Sequence, residues 1–278
     1  MQNLGRAIGA LLWFILPSRR KLATKAILKH IGLPPKEAKT QARKIAYESF
    51  KHNGQSFAEL LLAPKVDHAF MRQRIVLANP ERWEELKHYP GPGVAVTAHL
   101  GAWEILSGVM GTDIGHKDCA IVVRKQRNEA FFERVAALRG ATGAKVLGHR
   151  DAAPKVLRLL KKQGLVAFLV DHNCNRREAV FLPFLNDIAA VNIGPAVLAV
   201  RAKAIIWPIF LLHDGENYKY FVEEPLLTTD LPGTQEEKIL LAAEFYTRAV
   251  EKFVRRYPEQ WFWMHKRWKT RPPQEKKT

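Results

Sequence analysis

The stretch Val94-Ala95-Val96-Thr97-Ala98-His99-Leu100-Gly101-Ala102-Trp103-Glu104 joins a predicted strand to a predicted helix. The apolar, mostly β-branched residues 94–97 predict a buried strand, and Gly101 permits a sharp turn into an apolar helical pattern that begins at Trp103. His99 therefore falls at the carboxyl end of a strand, which is where open α/β sheets place their ligands. We expect the rest of the chain to be organised around this stretch.

Strands and helices alternate through the remainder of the chain, which predicts an α/β fold with a mixed, largely parallel central sheet flanked by helices. The chain reads as one domain, residues 1–278, in which a helical N-terminal layer (1–90) packs on a catalytic α/β core (91–270). Residues 179–185 read as a loop or a short strand. The other predicted strands are 119–123, 144–147, 165–170, 204–212 and 218–223, and the predicted helices of the core include 131–138, 152–162 and 236–257.

The N-terminal segment 4–17 is apolar and is followed at once by Ser18-Arg19-Arg20-Lys21. Its uncharged run is shorter than the roughly 20 residues that a membrane-spanning helix needs. No small-residue cleavage site follows the run, so a signal peptide is not expected. Two interpretations remain: a helix that lies in the membrane interface, or a short core helix that ends at Pro17.

The chain carries a formal net charge of +17, and the surplus is concentrated at its two ends. Such a distribution indicates a polyanionic partner, either nucleic acid or an anionic membrane surface. The segment 261–269 interleaves aromatic and basic residues, which suits both partners. With two cysteines in 278 residues, no disulfide framework is implied.

His99 and Glu104 can form a general base and the carboxylate that orients it, since a residue in the first turn of the helix can reach back to the imidazole. The alternative is a hydrogen-bonded packing pair. Asp171, His172 and Cys174 lie close in sequence, but no second ligand pair accompanies them, so no metal or other cofactor is expected. The sequence has no Gly-rich phosphate loop, nucleophile-elbow serine or dinucleotide fingerprint.

The His-four-residues-Glu pattern of residues 99–104 resembles that of the late acyltransferases of lipid A biosynthesis, the lauroyl and myristoyl transferases of the bacterial inner membrane. Further family-like blocks follow in the same order. His172 and Asn173 depart from the pattern, because the family has Gln and Asp there. The matching blocks are Asn53-Gly54 with Glu59, Arg124-Lys125, Arg139-Gly140, Asp171 with Phe181-Leu182-Pro183-Phe184, Asn192-Ile193-Gly194-Pro195-Ala196 and Trp263-Met264-His265-Lys266-Arg267-Trp268-Lys269.

This resemblance implies a fold like that of the glycerophosphate acyltransferases, at the cytoplasmic face of the inner membrane. The implied reaction moves a fatty acyl chain from acyl carrier protein, or from coenzyme A, to a hydroxyl of a lipid A precursor. Another glycolipid, such as a phosphatidylinositol mannoside, is an alternative acceptor. His99 is then the general base oriented by Glu104, and Arg124, Arg139 and Asp171 are substrate-binding residues.

In this interpretation Arg124 holds an acceptor phosphate or the developing oxyanion. The expected partners are acyl carrier protein, the glycolipid acceptor and an anionic membrane surface, and no nucleic acid. The non-enzymatic alternative is a basic protein that binds nucleic acid or membranes.

Overall fold

A computed structural model describes residues 1–114, 118–124, 128–150 and 152–273 of the chain. Lys125 of the predicted basic block lies outside the described residues. The helices are Gln2–Ile15 (α1), Pro17–His30 (α2), Ala38–Glu59 (α3), His68–Arg74 (α4), Pro80–His88 (α5), Trp103–Asp113 (α6), Glu129–Gly140 (α7), Ala152–Lys161 (α8), Gly194–Ala202 (α9) and Gln235–Arg256 (α10). The strands are Ile75–Leu77 (β1), Gly93–Thr97 (β2), Cys119–Val123 (β3), Lys145–Gly148 (β4), Leu165–Leu169 (β5), Ala179–Phe184 (β6), Asp187–Asn192 (β7), Ile205–Asp214 (β8), Asn217–Val222 (β9) and Leu226–Leu227 (β10).

Among the described residues, the main sheet has the strand order β1-β9-β8-β2-β5-β3-β4, with β10 paired to β8. The five strands from β8 to β4 are parallel to one another, whereas β8 and β9 form an antiparallel hairpin. The opening stretch supplies β2, whose five residues are all buried between β5 and β8. This confirms the predicted mixed, largely parallel sheet flanked by helices.

The two faces of the sheet pack against different helices. Val94 and Val96 of β2 point into a large apolar cluster that includes residues of α8, α9 and α10. Ala95 points the opposite way, into a second cluster with Trp207 and the buried side of α6. Successive side chains of a strand point to opposite faces of the sheet, so β2 contributes to both apolar clusters.

The N-terminal layer is not wholly helical, because residues 75–77 form β1, which extends the sheet by pairing in parallel with β9. Three apolar residues are too short to show a strand period, so the sequence pattern missed this element. A similar difference occurs after residues 179–185. These form β6 and pair with β7, which was not predicted, in a separate two-stranded sheet.

Glycines bring α1 and α3 into close contact. A Cβ atom on Gly9 would overlap the carbonyl oxygen of Phe50, and one on Gly54 would overlap the carbonyl oxygen of Gly5. Trp13 is buried and packs edge-on against Phe50 with ring centroids 5.3 Å apart. One side of α1 is therefore part of the core.

The opposite side of α1 remains open to solvent and is apolar. Phe14 is 68% exposed and Leu4 is 61% exposed, and Ile8, Leu11 and Ile15 are exposed as well. The core interpretation thus holds for one face of α1, and the membrane-interface interpretation stays a prediction for the other face. No helix in the described part of the chain is both long and apolar enough to cross a membrane.

Candidate active site

The turn between β2 and α6 carries His99 and is fixed by backbone contacts. The amide of Phe262 donates to the carbonyl oxygen of His99 at 3.0 Å, and Leu100 forms an antiparallel bridge with Trp261. Gly101 has a φ of +63°, and a Cβ atom there would overlap the carbonyl oxygen of Leu211. Glycine is thus required both for the backbone conformation and for the close approach of β8.

α3 and the C-terminal segment hold the same turn from the other side. The Ser56 hydroxyl donates to the carbonyl oxygen of Gly101, and the Gly101 amide donates to the carbonyl oxygen of Gln260 at 3.1 Å. The Asn53-Gly54 block, noted in the sequence only as family-like, therefore lies in the helix that supports this turn. His99 is held by backbone contacts before any ligand arrives.

Asp171, which follows β5, binds the His99 imidazole directly. The His99 Nδ1 atom lies 2.9 Å from Asp171 Oδ1, and the His99 backbone amide donates to Asp171 Oδ2 at 3.0 Å. An ionised carboxylate can only accept hydrogen bonds, so Nδ1 carries the proton and Nε2 keeps a lone pair. The His99 side chain is 29% exposed, which leaves its ring accessible to a substrate.

Asp171 itself is buried, with a relative exposure of 2%. Its Oδ2 atom also accepts a hydrogen bond from Trp261 Nε1 at 2.8 Å. Burial by itself raises the pKa of the Asp171 carboxyl, but the charge and hydrogen bonds of His99 and the Trp261 hydrogen bond hold that pKa well below its usual range. The carboxylate therefore stays ionised across the physiological pH range.

Two opposing effects set the pKa of His99. Burial lowers the pKa of the imidazole, whereas the charge of Asp171 and the hydrogen bond to it together raise this pKa above its ordinary value. The charge of Glu104 raises the pKa of His99 by a smaller amount, and the charge of Arg139 lowers it by a smaller amount. Asp171 thus stabilises the protonated form of His99 that a base produces when it accepts a proton.

Glu104 does not occupy the position predicted for it. Its carboxylate accepts hydrogen bonds from Arg139 Nε at 2.7 Å and Arg139 Nη2 at 2.6 Å, a bidentate pair in which Glu104 is almost fully buried. The expected contact between Glu104 and a ring nitrogen of His99 is instead made by Asp171, at Nδ1. Glu104, in the first turn of α6, faces Arg139 of α7, whereas Asp171 follows β5, the strand that pairs with β2.

Arg124 is exposed at the end of β3, and β3 is not the strand adjacent to β2. Strands that follow each other in sequence are often neighbours in a sheet, but β2 and β3 are not. In the sheet, the crossover through α6 skips one position and β5 later fills it. For this reason Asp171, and not Arg124, lies beside His99.

An apolar cleft opens between α6 and the sheet, next to Trp103, whose ring centroid lies 5.5 Å from that of His99. The cleft is narrow, and the volume open to the centre of a water molecule is about 40 Å³. Leu106, Met110 and Ile121 are among the residues that form its apolar walls, and Glu104 and Arg139 form its polar part. Such a lining suits an alkyl chain with a polar group at one end.

The C-terminal aromatic and basic block is largely internal, contrary to the expectation that it contacts a polyanion. Trp261, Trp263 and Arg267 are each 1% exposed or less. Arg267 donates to the carbonyl oxygen of Ala190 at 2.6 Å, and burial lowers the pKa of its guanidinium to about 10. Interleaved aromatic residues alone do not distinguish a surface from a core.

The two residues that depart from the family pattern anchor the loop after β5. His172 Nδ1 lies 3.1 Å from the carbonyl oxygen of Leu169, and Asn173 exchanges hydrogen bonds of 2.9 and 3.0 Å with Thr270. Among the described residues, no group of three or more His, Cys, Asp or Glu side chains has the arrangement of a metal site. In the part of the chain that the structure describes, the side-chain hydrogen bond to the His99 imidazole comes from Asp171.

Comparisons with known proteins agree with the resemblance drawn from the sequence blocks. A family model described as "Bacterial lipid A biosynthesis acyltransferase" matches residues 1–270. The chain is 25% identical over 277 residues to a lipid A biosynthesis palmitoleoyltransferase of Escherichia coli (strain K12), covering 97% of this chain and 85% of the relative. It is 31% identical over 120 residues to a lipid A biosynthesis lauroyltransferase of the same strain, covering 42% of this chain and 38% of the relative.

A phosphatidylinositol mannoside acyltransferase of Mycolicibacterium smegmatis (strain ATCC 700084 / mc(2)155) is 21% identical over 255 residues, covering 90% of this chain and 78% of the relative. Relatives with different named substrates are thus similar to nearly the whole chain, which points to a shared type of reaction. Since the family model spans residues 1–270, this chain belongs to the bacterial lipid A biosynthesis acyltransferase family and is an acyltransferase.

Proposed function

We propose that the enzyme transfers a fatty acyl group from the thioester of an acyl carrier protein to a hydroxyl group of a lipid A precursor. One observation carries the proposal: Nδ1 of His99 is bound to a buried carboxylate while the ring is accessible beside an apolar cleft. A base with a free Nε2 atom and a neighbouring site for an alkyl chain are the two parts that such a transfer needs.

In the proposed mechanism, Nε2 of His99 takes the proton of the acceptor hydroxyl as its oxygen attacks the thioester carbonyl. The tetrahedral intermediate collapses with formation of the ester C–O bond and cleavage of the C–S bond. The imidazolium returns its proton to the leaving thiolate, so His99 ends neutral and no acyl-enzyme forms. Base catalysis of this kind contributes about 10²- to 10⁴-fold in rate.

Asp171 and Glu104 have different roles in this proposal. Asp171 fixes the tautomer of His99 and stabilises its charged form. Glu104 is a positioning residue, because its carboxylate holds Nε and Nη2 of Arg139 at the cleft. The remaining N–H groups of that guanidinium can then bind an acceptor phosphate or the developing oxyanion. Arg124, exposed at the same edge of the sheet, is proposed to contact the phosphorylated part of the acceptor.

The choice of a lipid A precursor rests on the family and on the names of the more similar relatives. A phosphatidylinositol mannoside is a second candidate acceptor, since one relative carries that name. A coenzyme A thioester offers the same carbonyl chemistry as the carrier-protein thioester. Both alternatives can be tested in the same assay.

We further propose that α1 attaches the enzyme to the surface of the inner membrane, on its cytoplasmic side. The exposed side of α1 is a stripe of large apolar residues at helical spacing, Leu4, Ile8, Leu11 and Ile15, with Phe14 beside it. Lys21 and Lys25 follow on exposed positions of α2. An apolar helix face next to basic residues is the pattern of helices that lie in the interface of anionic membranes.

The reaction is tested by incubating the purified protein with an acyl-carrier-protein or coenzyme A thioester and with either acceptor, followed by mass spectrometry of the lipids. We expect the lipid A precursor to gain the mass of one acyl chain, with the carrier-protein donor preferred. His99→Ala should abolish this gain while the unfolding temperature stays unchanged. Absence of a mass gain with every donor and acceptor, or full activity of His99→Ala, contradicts the proposal.

The roles of the two carboxylates are separated by a pH profile of kcat/KM. Because His99 must be neutral to act and its pKa is raised, activity should increase with pH through a pKa above about 6.5. Asp171→Asn removes the main effect that raises the pKa of His99. The acid limb of the pH profile should therefore move to lower pH, while the rate falls at least about 100-fold. Glu104→Gln should move the limb by much less. An unchanged acid limb in Asp171→Asn would show that Asp171 does not control His99.

Membrane attachment by α1 is tested by sedimentation with phosphatidylcholine vesicles that contain or lack phosphatidylglycerol. The double variant Leu11→Ser with Phe14→Ser loses two apolar side chains that would enter the lipid, so we expect vesicle binding to fall at least about tenfold. Leu240→Ser, at an exposed position of α10, is the matched control. Equal binding of the double variant and the control variant would rule out α1 as the attachment site.

A further inference from the structure

Phe57 joins the exposed surface to the aromatic residues around His99. Its ring packs edge-on against Trp103 at 5.6 Å and against Phe262 at 6.1 Å. These two rings lie 5.5 and 6.1 Å from the ring of His99. Phe57 is nevertheless 50% exposed. A continuous aromatic path therefore leads from solvent to the proposed base.

This path begins near the C-terminal end of α3, which packs against α1. Seven of the thirteen large hydrophobic side chains that are exposed among the described residues belong to α1 or to the segment that carries Phe57 and Leu61. α1 and α3 are in contact at the buried Gly5, because a Cβ atom there would come within 2.9 Å of the Cβ atom of Ala58. Clustered exposure of this kind marks an interaction surface, whereas single exposed apolar residues do not.

The path and the apolar cleft share Trp103, whose ring lies 5.5 Å from that of His99. Trp103 lines the cleft, and it also contacts Phe57. Neither Phe57 nor Phe262 lines the cleft. The path and the cleft thus meet at Trp103, beside His99, and a reaction between two lipid-bearing substrates needs two such approaches.

We propose that the acceptor glycolipid reaches His99 laterally from the membrane surface, across Phe57, while its acyl chains stay in the lipid. This inference rests on the proposed function and on attachment through α1. The occupant of this surface is a lipid bilayer, because its exposed side chains are apolar and Lys21 and Lys25 are exposed on α2, the next helix. The Phe57 side chain is then needed for activity on a membrane-embedded acceptor, but it takes no part in the chemistry.

The test compares two acceptors with the full-length protein and one thioester donor. One is a lipid A precursor embedded in phosphatidylcholine and phosphatidylglycerol vesicles, and the other is a water-soluble analogue of the same phosphorylated sugar without long acyl chains. In Phe57→Ser we expect kcat/KM to fall about tenfold or more with the vesicle acceptor and to stay within about twofold with the soluble analogue. Phe57→Leu keeps an apolar side chain and should retain most of the vesicle activity.

Phe131→Ser is the matched control, because Phe131 is 57% exposed and lies outside the path. Equal losses of Phe57→Ser on both acceptors, or no loss on either, would overturn the lateral route and leave the proposed function intact. If the wild-type enzyme acylates neither acceptor, both the proposed function and the lateral route are wrong. An unchanged unfolding temperature in Phe57→Ser confirms that the comparison concerns folded protein.

Discussion

The buried carboxylate of Asp171 is the interaction on which the site depends. It accepts hydrogen bonds from the amide and from Nδ1 of His99, and from the indole of Trp261. A buried charge without partners would cost several kcal/mol, so these three donors are a condition for folding as well as for chemistry. The carboxylate thereby joins the ends of β2 and β5 to the C-terminal segment.

Parts of the chain that are distant in sequence support this arrangement. The helix α3 supports the turn at Gly101 through Ser56, and Trp261 lies in the segment that pairs with Leu100. The position of His99 therefore depends on α3, on the loop after β5 and on the C-terminal segment together.

The sequence was sufficient for the parallel sheet and for the position of His99, because the buried strands are continuous apolar runs with helices between them. It was not sufficient for the partner of His99. Glu104 is close in sequence but faces Arg139, whereas Asp171 becomes a neighbour only through the order of strands in the sheet. That order depends on the position at which each later strand joins the sheet, and local sequence patterns do not encode this position. The strand β1 was missed for a simpler reason, since three residues show no period.

The most direct test of the central claim is the tautomer of His99, measured by NMR on protein with ¹⁵N-labelled histidines and assigned with His99→Gln. The account predicts that neutral His99 carries its proton on Nδ1 and has an unprotonated Nε2, and that Asp171→Asn changes this spectrum while Glu104→Gln leaves it in place. A proton on Nε2 in the wild-type protein, or a spectrum that responds to Glu104→Gln and not to Asp171→Asn, would contradict it.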